Sequence, residues 1–300
     1  MSAYDPRVDP GASASVPFGV RLEFAHAAVC RLAALAGADV LVIKGPAMHP
    51  LVAAPGRGST DVDVLVRPAQ LDAFLRVLSE HGWSAVDSFA TGSPFGHSTT
   101  FSSPVWGYAD VHRLIPGFEA PADVVFDRLW EGHTLVGFAG HDAPVPEPAA
   151  QGVILVLHAA RSGGEARARA DLAHAWEAAP PEHRARMLAL VTELEAEVAW
   201  AAATGDLERF RTRSSYGLWR AVSTGGGRVA EWSGRVRAAT GLGAKARLVG
   251  RMVLVNTDHL ALQLGRPPRR REVVAEFVRR ARAGTREIVT GGRARLVRPR

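Results

Sequence analysis

The chain has 300 residues, 47% hydrophobic and 22% charged, which is ordinary globular chemistry rather than disorder. That length calls for one large or two modest domains, and a single cysteine, Cys30, excludes a disulfide framework. Residues 266–300 hold twelve arginines against three glutamates, a surplus of nine, so the remainder carries −3 of the +6 total and the basicity belongs to the tail.

Residues 1–17 are rich in Pro, Gly, Ser and Ala and read as a flexible N-terminus, with neither a basic nor an apolar leader pattern. From Phe18 to Ala36, Leu22, Ala25, Val29, Leu32 and Ala36 recur at helical spacing, with Gly37 as the stop. Val40-Leu41-Val42-Ile43 is a short apolar run that predicts a buried strand. Gly45-Pro46 then turns the chain into a short helix near Ala47–Val52. Asp61–Val66 alternates with the period of two of a strand. Pro68 opens a helix striped by Leu71, Phe74, Leu75 and Leu78, which Gly82 closes.

Strand-like segments follow at Ser84–Ser88, His97–Ser102, Tyr108–Leu114 and Thr134–Phe138. From Pro148 the pattern is helical, with helices expected at 148–162, 165–178, 181–203, 206–222, 228–239, 243–264 and 270–283. These elements predict an α/β domain over 18–147, a helical domain over 148–265 and a basic helical tail over 266–300. The most apolar runs, 153–157 and 252–255, are far shorter than the ~20 residues of a membrane helix. A cytoplasmic protein with no membrane contact is expected.

Chemistry concentrates between residues 43 and 112. Asp61 and Asp63 share one strand face, since successive side chains alternate. Two neighbouring carboxylates repel unless a cation joins them, and hard oxygen donors of this kind suit Mg²⁺. On its own an Asp-x-Asp pair is a weak signal, equally at home on a solvated strand edge. Lys44-Gly45 adds a cation and backbone N–H groups for phosphate oxygens, and Arg57, Ser59 and Thr60 add a guanidinium and hydroxyls. The chain holds only two lysines against thirty-four arginines, so a lysine at that turn stands out. Asp110, on a later strand, completes a set of three carboxylates suited to two-metal phosphoryl transfer.

His112, two residues beyond Asp110, is a candidate acceptor contact or proton shuttle, with simple packing as its plainer reading. His158 reads as a core histidine, His49 approaches the site in sequence only, and Trp200 and Trp219 read as core. There is no cysteine pair or His-Glu-x-x-His spacing that would indicate zinc.

The order Lys44-Gly45, Arg57, Asp61-Val62-Asp63, a helix ending in His81-Gly82-Trp83, then Asp110-Val111-His112 resembles the uncharacterised bacterial nucleotidyltransferases of the DNA polymerase β-like superfamily. The segment 153–177, with His158 and Asp171, resembles that family's helical region. The resemblance implies an α+β fold: a polymerase β-like domain, a mixed sheet with flanking helices, followed by an all-helical region. It implies two Mg²⁺ ions held by Asp61, Asp63 and Asp110. The NTP, ATP by preference, would be contacted by Lys44, Gly45, Arg57, Ser59 and Thr60. The implied reaction moves an NMP onto a hydroxyl with release of pyrophosphate. The turn departs from the Gly-Ser or Gly-Gly usual in the superfamily, so Lys44 either contacts phosphate or supports the turn.

The acceptor is open among small molecules, peptides, protein side chains and RNA ends. A small molecule or peptide is favoured because the body of the chain is not basic. The rival reading is a nucleic-acid-binding regulator that uses the basic tail beside a catalytically inactive domain.

Overall fold

The computed structural model describes residues 16–90, 95–162, 164–225 and separate stretches between 233 and 282, of which 268–279 is the longest. The first element among the described residues is helix α1, Phe18–Leu35, which buries Leu22, Ala25, Val29, Cys30, Leu32 and Ala33 along one face. Gly37, at φ +62°, ends it in the left-handed conformation that costs glycine no Cβ clash. Strand β1, Val40–Val42, is wholly buried, and a single 3₁₀ turn, Gly45–Ala47, follows in place of the expected helix at Ala47–Val52. Pro46 inside that turn suits its fixed φ.

The sheet is mixed and five-stranded, in the order β1-β2-β5-β4-β3. β2 is Asp61–Val66, β3 Ser84–Ala85, β4 Ser98–Ser103 and β5 Gly107–His112. Among them β2 and β5 alone run parallel. Helix α2, Leu71–Glu80, lies in the chain between β2 and β3, and buries Phe74 and Leu78. Val62, Val64 and Val66 of β2 share one core with α1, α2, Val111 and Trp83. The alternation of β2 therefore sends its valines into the core and leaves Asp61 and Asp63 on the other face.

Two elements were not expected. Helix α3, Ala122–Glu131, buries Val125, Phe126 and Leu129 behind a Pro121 N-cap. Arg67 holds it to the sheet, with Nε donating to Asp39 Oδ2 (2.8 Å), Nη1 to Asp127, and the guanidinium over the Phe126 ring. Strand β7, His141–Val145, pairs antiparallel with β6, Thr134–Phe138, across a turn in which Ala139 and Gly140 both have positive φ. Positive φ at both central residues suits a tight hairpin. Phe138, Ala143 and Val145 extend the sheet core.

The helical region is more broken than its pattern predicts. Helix α4 is Pro148–Ala160 and α5 Ala166–Leu172, the latter widening into a π turn at Ala173–Glu177. The single helix expected over 181–203 is two, α6 Pro181–Glu193 and α7 Glu197–Thr204, separated where Glu195 takes φ +53°. A 3₁₀ turn, Leu207–Phe210, precedes α8, Tyr216–Ser223. Trp200 and Trp219 are buried, as expected. Of the three helices expected beyond 227, residues 270–279 are helical, and most of 228–239, 243–264 and 283–300 lies outside the described residues, as does 1–15. No described helix is long and apolar enough to cross a membrane.

Two compact units result. The first comprises residues up to 156 with 170–196, so the unit that contains the sheet also takes in part of α4, α6 and the π turn. The second comprises 157–169 and the described residues from 197 on.

Candidate active site

The parallel register sets Asp63 directly opposite Asp110, and Leu65 opposite His112. Carboxylates on adjacent strands are thereby brought together by backbone pairing, not by sequence proximity. Asp63 is the centre of the cluster. Its Oδ1 accepts from Lys44 Nζ at 3.0 Å and lies 2.9 Å from His112 Nε2. One oxygen each of Asp63 and Asp110 and one ring nitrogen of His112 lie within 4.8 Å of one another. Asp61 falls outside that group. Its Oδ1 faces the hydroxyls of Ser59 and Thr60, both at 3.5 Å, while Ser59 Oγ also donates to the Asp61 carbonyl at 3.0 Å.

The three carboxylates are electrostatically unlike. Burial pushes Asp63 up, but Lys44 and the His112 hydrogen bond outweigh it and hold Asp63 well below the usual carboxylate range. Burial, and then the Asp63 charge, raise Asp61 against the pull of Lys44, Ser59 and Thr60. Asp110 is raised to about 7 by burial and by Asp63, against a 2.7 Å hydrogen bond from Thr100 Oγ1. All three thus have one oxygen facing a donor, while Oδ2 of each receives no hydrogen bond among the described residues. Such a donor set fits a hard divalent cation: a central anion, a second carboxylate that ionises only with help, and oxygens left over for ligation.

Gly45, at φ +81°, sits so close to Ser59 that an added Cβ would lie 3.2 Å from its Oγ and 3.5 Å from His26 Nε2. The Lys44-Gly45 turn and the Ser59 loop therefore pack on one another, and a side chain at 45 would have to displace Ser59 slightly at a φ that favours glycine. Arg57 does not join the carboxylate cluster by any hydrogen bond: its Nε donates to Asp171 Oδ1 at 2.8 Å, in a pair with side chains 7% and 3% exposed. His112 stands at the cluster with the His97 ring against it, centroids 5.3 Å apart. His49 is turned elsewhere, its N–H on Gln151 Oε1 and its ring on the Leu51 N–H. His158 is half-buried beside Arg161 rather than in the core.

Two contributors escaped the sequence. Thr100 faces Asp110 across the β4–β5 register, and His26 lies under the Lys44-Gly45 turn with its Nδ1 on the Leu22 carbonyl and its buried Nε2 unmatched. Neither residue type at its position carries a signal, because each is defined by a partner far along the chain. The one cysteine offers no alternative nucleophile, since burial pushes the Cys30 thiol up to about 12.

The sequence model of the uncharacterised nucleotidyltransferase family matches residues 20–210. The chain belongs to that family. The match takes in the whole Lys44-to-His112 cluster and Asp171, the positions that carried the resemblance. Among solved structures, an antigenic nucleotidyltransferase-like protein from Paracoccidioides brasiliensis is similar at 14% identity and a TM-score of 0.35, over 61% of this chain and 92% of that one. No curated protein matches the sequence.

Proposed function

We propose that the protein is a Mg²⁺-dependent nucleotidyltransferase that moves an NMP from an NTP, ATP by preference, onto a hydroxyl of a small-molecule or peptide acceptor. The observation that carries this reading is the Asp63–Asp110 pairing across parallel strands, with Lys44 bonded to Asp63 and His112 completing the donor group. Asp63, Asp110 and Asp61 hold the metal, with two ions as the working number. Divalent ions held there would supply neutralisation of the charge on the reacting triphosphate.

The chain's own residues do the rest. Lys44 and the Gly45 turn hold the triphosphate, and Ser59 and Thr60 fix the Asp61 carboxylate. The acceptor oxygen forms a bond to the α-phosphorus as the bond to the β-phosphate oxygen breaks, and pyrophosphate leaves with the electron pair. The acceptor's proton goes to Asp110, which keeps one carboxylate oxygen clear of the Thr100 hydrogen bond. His112 keeps Asp63 oriented and borders the acceptor side. Most of the rate comes from positioning and charge neutralisation. A cytoplasmic location, with its ready supply of NTP, accords with this chemistry.

The test is direct. Incubation with Mg²⁺, labelled NTPs and candidate acceptors should label an acceptor and release pyrophosphate. Mg-ATP should raise the melting temperature, and EDTA should abolish that rise. A protein that neither shifts with Mg-NTP nor consumes it, yet binds RNA or DNA with a steep salt dependence, is instead a nucleic-acid-binding regulator.

A further inference from the structure

The Arg57–Asp171 pair uses only one edge of the guanidinium. Asp171 is 2% exposed and its Oδ1 takes the hydrogen bond from Arg57 Nε. The two Nη nitrogens of Arg57 make no hydrogen bond among the described residues, in a side chain that is 7% exposed. A guanidinium is rigid and planar, so holding Nε fixes where both Nη groups lie. Two unengaged Nη groups on an anchored Nε form a fork suited to the oxygens of a phosphate.

The loop that carries Arg57 is anchored as well. Arg57 N–H donates to the Ala54 carbonyl, and Gly56 takes φ +74° to allow that turn. Two residues later Ser59 reaches Asp61. From the other side, His174 Nε2 lies 3.3 Å from the Pro50 carbonyl, and Ala175 packs with Met48 and Val52. Residues 171–175 thus brace the whole segment from Met48 to Arg57. A carboxylate buried here without a cation would be costly, so Asp171 and Arg57 hold each other in place.

We propose that Asp171 is a positioning residue: it grips Arg57 by Nε and so presents the two Nη groups as a preformed fork for a polyphosphate. This deepens the nucleotidyltransferase reading, on which it rests, by assigning the role of a residue outside the carboxylate cluster. It also gives Arg57 a defined mode of contact, with its inner edge spent on protein and its outer edge kept for substrate.

The test uses the full chain, with inorganic tripolyphosphate and Mg-ATP as separate probes in calorimetry. Asp171→Ala, if folded by circular dichroism, should weaken binding of both by ~10-fold, the scale of losing one oriented charge-assisted contact. Asp171→Asn keeps an oxygen that accepts from Nε and should recover most of the affinity. If the alanine variant fails to fold, Arg57→Lys, which keeps the charge but lacks the fork, should weaken both probes likewise, and wild-type affinity there overturns the proposal. With transfer assayed alongside, the Asp171 variants should raise KM for ATP while changing kcat by less than ~3-fold, because a ground-state phosphate contact is uniform binding. In an Arg57→Gln background, Asp171→Ala should have no further effect on affinity.

A folded Asp171→Ala protein with wild-type affinity for both probes, or Arg57 and Asp171 effects that simply add, overturns the proposal and leaves the catalytic reading intact. Wild-type protein that binds neither probe overturns it too. Binding that depends on Arg57 and Asp171 without any NMP transfer supports the fork and counts against the catalytic reading alone.

Discussion

Asp61, Asp63 and Asp110 look interchangeable in the sequence, and relief of repulsion should make Asp→Asn neutral or stabilising at each. The structure separates them. Asp63 is the anchor of Lys44 and His112, so Asp63→Asn should cost ~3 kcal/mol in EDTA, because the Lys44 ammonium loses its partner. Asp61→Asn should hold or raise the melting temperature, because its ionised form is disfavoured where it stands. Both should lower transfer by at least ~10²-fold, the scale of losing one preorganised electrostatic contact. Chemical denaturation of both variants in EDTA, beside pyrophosphate release in Mg²⁺, checks the split.

Asp110 adds a pH signature. Its pKa, about 7 in the native protein, exceeds the ~3.9 of an unfolded chain, so between those values the native state binds more protons. Its contribution to stability is full at acid pH and is lost as pH rises through about 7. Asp110→Asn should therefore gain ~1–3 kcal/mol more over wild type at pH 8 than at pH 5, in EDTA. Equal gains at both pH values would mean that Asp110 ionises normally in the native state.

At the scale of elements, the Lys44-Gly45 turn is the piece whose geometry is most constrained. Gly45→Ala places a Cβ 3.2 Å from Ser59 Oγ at a φ of +81°, so both the turn and the loop must give. The expected cost is ~1–2 kcal/mol in stability, with a rise in KM for ATP larger than the fall in kcat, since Lys44 and Ser59 shift together. Denaturant melts and steady-state kinetics test it. An unchanged KM would detach the turn from the nucleotide.

Elements with a strong period were legible: α1, β2 and α2 follow their apolar spacing closely. Strand β7 was not, because His141-Asp142-Ala143-Pro144-Val145 contains a proline and little β-branching, and its pairing with β6 decides its state. Helix α3 is short, and its buried residues Val125, Phe126 and Leu129 are too few to show a period against strand-like neighbours.

For the molecule as a whole, charge and site are separated along the chain. The carboxylate cluster lies between residues 44 and 112, while the surplus of nine positive charges lies in 266–300. Deletion of 266–300 should lower affinity for RNA or heparin and flatten its salt dependence, yet leave Mg-ATP binding within ~2-fold. Filter binding across a salt series, with calorimetry for Mg-ATP, reads both. Loss of Mg-ATP binding in a folded truncation would give the tail a part in the nucleotide site.

The sequence by itself determined the family, the mixed α/β character and the side chains with chemical potential. These are written in local period, in turn residues and in the order Lys44-Gly45, Asp61, Asp63, Asp110. Tertiary structure decided how those side chains divide the work. Which strand lies parallel to β2 sets Asp110 against Asp63, which residue of β4 faces Asp110 picks out Thr100, and the packing of residue 171 near residue 57 ties Arg57 to Asp171. Register and long-range pairing are cooperative properties of the folded chain, fixed by burial of whole faces, and no local stretch contains both partners.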